Sequence, residues 1–445
     1  MKKIWAVLVV ICCLLCCGCS GEVADIYGSI SPPKPSGELY HIQKALEVYV
    51  NGKIQLVYPS SGDYRSAIIT KDITGDGKYE AFAFYSTKTD DKSTVMHINY
   101  IMQSEGKWNS VADIQVTASG VESVEFVKLD NGATPKLIVN WNRFSSLEKQ
   151  LSVYSIDTGV LTEVASIPQS VYSTCDFDGD GIYEVIAVYM DVNTSVAGAT
   201  YMALTERGFD EKGRCAADPY ITAYRTPKIT KLTDGTQALF IDAEKASGMV
   251  TEVFYIKNGT IRSAFDNTAG NENLKTLRAS KAISQDINGD GCLDIPTTTR
   301  LPSVPGEEQA DSVYMTTYNS FDGEVLTPLS YAVINYSDGY NMFIPESWVN
   351  NFTVIRNVQY RERIMYRWDP EDSSLGEEIM RLEVVTLNDW STKAEHYSQY
   401  HEILRSGEDI FAVKFSNSAL TPDLDTVKKN FTIIGDGAAD HGLSR

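Results

Sequence analysis

Oxygen-bearing side chains recur at fixed places in three nonapeptides of this chain. They are Asp72-Ile-Thr-Gly-Asp-Gly-Lys-Tyr-Glu80, Asp176-Phe-Asp-Gly-Asp-Gly-Ile-Tyr-Glu184 and Asp286-Ile-Asn-Gly-Asp-Gly-Cys-Leu-Asp294. The first, third, fifth and ninth places hold Asp72, Thr74, Asp76 and Glu80, then Asp176, Asp178, Asp180 and Glu184, then Asp286, Asn288, Asp290 and Asp294. Glycine takes the fourth and sixth places, where a short loop has to turn back on itself. A backbone carbonyl at the seventh place, from Lys78, Ile182 or Cys292, would add one more oxygen. A hard cation such as calcium wants roughly six to eight oxygens at about 2.3–2.6 Å. Three calcium ions are therefore expected. The second loop, with four carboxylates, should bind tightest, and the first, with Thr74 at its third place, weakest.

The residues just after the loops decide between two kinds of cage. An EF-hand needs a bidentate Glu at its twelfth place and a helix after it, but these twelfth places are Ala83, Ala187 and Thr297. The apolar runs Tyr79-Glu-Ala-Phe-Ala-Phe-Tyr85 and Tyr183-Glu-Val-Ile-Ala-Val-Tyr189 have instead the length and composition of strands. A calcium loop closing onto a buried strand resembles the FG-GAP/VCBS repeat of integrin α-chain propellers and bacterial surface proteins, over about Ser66 to Gly339. Two shorter relatives, Lys128-Leu-Asp-Asn-Gly132 and Lys231-Leu-Thr-Asp-Gly235, also lead into apolar runs. The starts at Asp72, Asp130, Asp176, Asp234 and Asp286 lie 58, 46, 58 and 52 residues apart, the length of one four-stranded blade. The chain is thus expected to be mainly β. Its β-propeller of about five four-stranded blades spans 66–336, three blades with calcium loops and two with a shortened, metal-free one. Asp157-Thr-Gly159 reads as a hairpin turn, and Lys53-Ile-Gln-Leu-Val-Tyr58 as a strand that could close the ring.

At the amino terminus, Lys2-Lys3 precede twelve uncharged, mostly apolar residues, Ile4 to Leu15, too short to span a bilayer, which takes about 20, and shaped like a secretory signal. Leu14-Leu-Cys-Cys-Gly-Cys-Ser20 resembles a bacterial lipoprotein signal cut before Cys19. Because Cys16 stands three places before Cys19 where leucine is usual, Cys17 is the alternative. The resemblance implies an acylated cysteine, hence an extracytoplasmic chain anchored to the bacterial membrane; more than one acyl chain makes such anchoring stable. Residues 1–18 are then signal and 19–37 a polar tether containing Ser31-Pro-Pro-Lys-Pro-Ser36.

Composition fits an exported globular protein. The 445 residues are 43% apolar, enough for real cores, and carry a net charge of -20, which excludes a nucleic-acid partner because such binding rests on neutralising phosphates. Five of the eight cysteines lie in the signal region; Cys175, Cys215 and Cys292 remain, too few for a disulfide framework. Residues 38–65 are expected to hold a short amphipathic helix, with Leu39, Ile42, Ala45 and Leu46 at helical spacing, and the closing strand. From 337 to 445 the repeats stop, and strand-like runs with a helix at Asp423 to Phe431 read as a separate α+β domain. Phe343-Ile-Pro-Glu-Ser-Trp348 there, with Ser31-Pro-Pro-Lys34 and Tyr58 to Ala67, is similar to lipoproteins of Gram-positive anaerobes that supply no activity to carry over.

Catalytic motifs are absent: no GxSxG, HExxH or Walker loop occurs. Of the five histidines only His396 and His401 lie near each other, and their spacing suits surface residues better than a ligand pair. The reading at this level is a non-catalytic binding module for protein or glycan. Two alternatives stay open: an extracytoplasmic enzyme acting on polysaccharide, with the propeller as accessory, and a structural subunit of an envelope complex.

Overall fold

The computed structural model describes residues 37–434 except 90–93, 146–147, 158, 192–193, 266–271 and 304–311. The signal, the tether up to residue 36, Cys17 and Cys19, His441 and the centre of the turn at 157–159 lie outside the described residues. The fold is mainly β. A first sheet holds β1 (Gln55–Leu56), β2 (Ile68–Lys71), β3 (Glu80–Lys88), β4 (Thr94–Ser104) and β5 (Lys107–Val116). The second holds β6 (Gly120–Val127), β7 (Lys136–Ser145), β8 (Glu148–Asp157) and β9 (Val160–Gln169). The third holds β10 (Val171–Cys175), β11 (Glu184–Asp191), β12 (Val196–Thr205) and β13 (Gly208–Ala216). The fourth holds β14 (Ile221–Tyr224), β15 (Lys228–Lys231), β16 (Gln237–Lys245), β17 (Gly248–Lys257) and β18 (Thr260–Ser263). The fifth begins with β19 (Ile295–Arg300), β20 (Tyr314–Phe321), β21 (Leu326–Asn335) and β22 (Tyr340–Ile344). All the strand pairings are antiparallel and, with β1 and β2 sharing the edge of β3 and β14 and β15 sharing the edge of β16, each sheet runs in chain order, which makes these sheets propeller blades.

The second strands of the first four blades carry runs of apolar residues because they are covered on both faces. Successive side chains point to opposite faces, and both faces are covered. In β3, Phe82 and Phe84 pack toward the second sheet, while Ala81, Ala83 and Tyr85 face the other way. In β7, Leu137, Val139 and Trp141 meet the first sheet and Ile138 meets the third. In β11, Val185 and Ala187 face the second sheet, Ile186 and Val188 the fourth. The same alternation in β16 sends Leu239 and Ile241 to the third sheet and Phe240 to the fifth.

Two expectations need correction. First, β1 does not close a ring: Gln55 pairs with Ser86 and Leu56 with Tyr85, so it continues the edge position that β2 occupies lower down β3. Among the described residues no core cluster joins the last sheet to the first. The outer face of the first sheet is covered by α1 (Glu38–Val50), which buries Ile42 and Leu46 against Ala81, Ala83, Tyr85 and Ile101. Second, the carboxy-terminal segment is not separate. Its β23 (Phe352–Asn357), β24 (Glu362–Asp369), β25 (Ser374–Thr386), β26 (His401–Ser406) and β27 (Asp409–Phe415) form a further antiparallel sheet with α2 (Leu387–Thr392). After α3 (Leu424–Lys429), however, β28 (Phe431–Ile433) pairs with β22 and so completes the fifth sheet. The expected boundary at 336/337 falls inside the β21–β22 hairpin, where Asn335 pairs with Tyr340. One core, including Met315, Met342, Phe352, Met380 and Val413, spans both sheets. The expected helix within Asp423 to Phe431 is present as α3, and strands with two six-residue helices make up the rest of that segment.

Candidate metal centres

The three nonapeptides fold alike. Each first-place aspartate draws the loop around itself by accepting from the two glycine amides, with Gly75 N at 2.8 Å and Gly77 N at 3.0 Å from Asp72, Gly179 N at 2.7 Å and Gly181 N at 2.9 Å from Asp176, and Gly289 N at 2.6 Å and Gly291 N at 2.9 Å from Asp286. All six glycines have φ between 74° and 85°, a region closed to most side chains. The fifth-place carboxylate accepts from the seventh-place amide: Lys78 N to Asp76 and Ile182 N to Asp180 at 2.8 Å, Cys292 N to Asp290 at 2.7 Å. The ninth-place carboxylate accepts from the second-place amide, at 2.9 Å from Ile73 to Glu80, 2.9 Å from Phe177 to Glu184 and 3.0 Å from Ile287 to Asp294.

Glu80 and Glu184 open β3 and β11, Asp294 immediately precedes β19, and all three are buried, at 3%, 4% and 0% exposed. The third-place side chains differ. Thr74 Oγ1 reaches Glu80 at 3.5 Å, Asn288 donates to Asp290 Oδ2 at 2.9 Å, and Asp178 accepts from Asp180 N at 3.1 Å. Only in the second loop, among the described residues, do three carboxylates converge within 4.8 Å of one another, those of Asp176, Asp178 and Glu184; Asp180 stands outside this group. Burial, and then the charges of Asp178, Asp180 and Asp176, push the Glu184 carboxyl up to about 7. Burial, with Asp290 and Asp286, pushes Asp294 up to about 6.

These loops fit a hard cation. Their donors are oxygens, and two buried polar atoms beside them lack a protein partner, Asp294 Oδ1 and the Tyr100 hydroxyl. Tyr100 belongs to a repeated set. Tyr100, Tyr201 and Tyr318 pair across the sheet with Phe82, Ile186 and Pro296, each two residues beyond a ninth-place carboxylate. Tyr201 hydrogen-bonds to Glu184. The loops also tie neighbouring blades: Tyr183 N donates to Lys128 O at 2.9 Å and Thr230 Oγ1 to Gly291 O at 2.8 Å.

The shortened loops reveal what sequence reasoning missed. In register, Lys71 pairs with Glu80 and Cys175 with Glu184, but in the second sheet Val127 pairs with Lys136. A lysine therefore stands where its neighbours carry a carboxylate, and its Nζ lies 2.9 Å from Asp130 Oδ2. The blade supplies its own cation. Lys136→Met is expected to cost about 0.5–1 kcal/mol, equally in calcium and in chelator, by thermal melting; a calcium-dependent loss would contradict this. In the fourth sheet the corresponding residue is neutral, Gln237.

Elsewhere, His396 and His401 are exposed. The histidine that is built into a network is His97, between Thr87 Oγ1 and Asp113 Oδ2, both at 2.9 Å. Asp113 also accepts from the Tyr85 hydroxyl at 2.7 Å and the Asn99 amide at 3.0 Å. Strand pairing across β3, β4 and β5 creates this chain, and no local spacing signals it. Among the described thiols, burial raises Cys175 and Cys292 and pushes Cys215 up to about 12, which disfavours the reactive thiolate. No described helix is long and apolar enough to cross a membrane.

No protein-family model matches the chain, and no curated protein does. Among solved structures it is similar to the exotype rhamnogalacturonan lyase YesX, at 11% identity and TM-score 0.33, covering 81% of this chain and 63% of that one. It is also similar to the Pseudomonas aeruginosa periplasmic gluconolactonase PpgL, at 12% identity and TM-score 0.28, covering 71% of this chain and 94% of that one. For the Dos1 propeller the values are 11% and 0.28, with 76% and 78% covered. The chain spans less than two thirds of the lyase. At these identities and TM-scores, the architecture rests on the chain's own sheets.

Proposed function

We propose that this chain is an extracytoplasmic lipoprotein, anchored through Cys19 or Cys17, whose calcium-stapled blades form a rigid, non-catalytic module that binds protein or glycan. The observation that carries the reading is the loop built three times over, with a buried ninth-place carboxylate and the same amide contacts in each copy. Calcium would be held by Asp72, Thr74, Asp76 and Glu80, by Asp176, Asp178, Asp180 and Glu184, and by Asp286, Asn288, Asp290 and Asp294, with the seventh-place carbonyls. It would neutralise carboxylates whose mutual repulsion otherwise loosens the loops. Extracellular modules bind calcium at about 0.1–1 mM, which suits a staple in a calcium-rich medium.

The enzyme reading has one observation in its favour, the Thr87–His97–Asp113 chain. That chain is better explained as a clamp between strands, since His97 is buried, stacks on Tyr85 at 4.5 Å between ring centres and shares Asp113 with two further donors. The test is fractionation followed by capture. The wild-type chain is expected in the membrane fraction, with a Cys17→Ser/Cys19→Ser double variant released, and to retain glycans or envelope proteins in calcium. Membrane retention of the double variant would sink the anchor; turnover of a polysaccharide, lost in Thr87→Val, would replace the binding module by an enzyme.

A further inference from the structure

A cavity of about 510 Å³ opens between the second and third sheets, within the range of small-molecule sites. Its floor continues the core between those sheets, through Ala187 and Met202. The next residue on the same face of β11 after Ala187 is Tyr189, which lines the cavity. Tyr189 pairs with Gly198. A Cβ at Gly198 would stand 2.7 Å from the Tyr189 hydroxyl and 2.9 Å from Cζ, so the phenol lies down across the sheet over a residue that has to be glycine. The result is a flat aromatic surface beside an apolar floor.

The charged side chains of the lining are two cations and three carboxylates, one of the carboxylates being paired outside it. Arg143 and Lys149 stand against Glu148 and Asp191, while Glu211 is held by Arg214 through contacts of 2.7 and 2.6 Å. Gln169 is 2% exposed and gives its amide to Asn140 Oδ1 at 2.8 Å, but its own Oε1 has no protein partner. A buried acceptor left unmatched is costly, and because this oxygen is closed off from solvent a ligand O–H would reach it only after the side chain shifts.

We infer that this cavity binds a neutral saccharide, one or two rings of a glycan chain, with a sugar face laid on Tyr189 and hydroxyls shared among the surrounding donors and acceptors. Sugars have this dual character: C–H faces that pack on aromatic rings, and hydroxyls that both donate and accept. An anion would want an excess of positive charge, which the lining lacks. The inference deepens the binding-module reading and rests on it. The cavity lies away from the calcium loop of its own blade, since Tyr189 is five residues along β11 from Glu184, about 16 Å at strand rise.

The experiment uses the full chain in a detergent without a sugar headgroup. It is titrated with neutral oligosaccharides of two to four units in gluco-, manno-, galacto- and xylo-configuration, followed by saturation-transfer NMR and calorimetry. At least one series should bind. Tyr189→Ala should weaken it at least tenfold with the melting temperature unchanged, Tyr189→Phe should retain most of it, and Gly198→Ala, which lifts the ring, should weaken it. Binding should persist in chelator. Saccharide binding that Tyr189→Ala leaves intact would overturn the cavity assignment while sparing the binding module. No binding in any series, with envelope proteins still captured, would overturn the saccharide and leave the module a protein binder. Failure of both would remove the module itself.

Discussion

In excess chelator the chain should melt below its temperature in millimolar calcium, and magnesium should not substitute. Sites with dissociation constants of about 0.1–1 mM each add about 0.4–1.4 kcal/mol at millimolar calcium, so three sites raise the melting temperature by about 1–4 °C in a chain of this length. The second loop should supply the largest share, because its three carboxylates already converge within 4.8 Å. Asp178→Ala is expected to remove that share in calcium and change little in chelator. Equal losses in both would mean that the loops are turns held by their own amides.

The pH dependence gives an independent reading of the same loops. The folded-state carboxyls of Glu184 and Asp294 are raised to about 7 and about 6, above their unfolded values. The metal-free folded state therefore binds more protons than the unfolded chain between about pH 4.5 and 7, and its stability falls as pH rises through that window. The loss at Glu184 is on the order of 1–2 kcal/mol, allowing for solvent screening beside an exposed loop. Calcium should abolish this slope and release protons on binding, which calorimetry in buffers of different ionisation enthalpy would detect. A chelated protein whose stability is flat from pH 5 to 7.5 would contradict the burial of these groups.

Arg278→Ala should be more damaging still, at about 3–5 kcal/mol in urea unfolding. Arg278 is 1% exposed and donates to Asp242 Oδ1 at 2.7 Å, Thr251 Oγ1 at 3.0 Å and Ala282 O at 2.6 Å. Asp242 also accepts from Ser284 N at 2.7 Å. The pair thus pins the segment between the fourth and fifth sheets. Removing the guanidinium leaves a buried carboxylate without its charge partner, whereas Arg278→Met/Asp242→Leu, which removes both charges, should lose much less. Equal losses in the single and double variants would show that packing, not charge pairing, holds the segment. The fit is tight, since a Cβ on Gly248 would sit 2.2 Å from Arg278 O.

Local physics made the loops and the blades legible in the chain alone. Nine residues with glycine at the fourth and sixth places carry their own turn, since the amides that shape it belong to the same nonapeptide. The runs at Tyr79 to Tyr85 and Tyr183 to Tyr189 announced strands covered on both faces, because alternate residues must each find a neighbour. Tertiary structure alone decided the rest. The first sheet is capped by α1 rather than by the last sheet, and β28 returns to β22 from about 90 residues away; both are pairings of distant segments that no local pattern encodes. The register that sets Lys136 against Asp130, the chain from Thr87 through His97 to Asp113, the pinning of Asp242 by Arg278 and the laying of Tyr189 over Gly198 all depend on which strands become neighbours. Sequence spacing determines where a backbone turns and which face of a strand is apolar, but the partner of a charge or an aromatic ring is chosen only when the sheets pack.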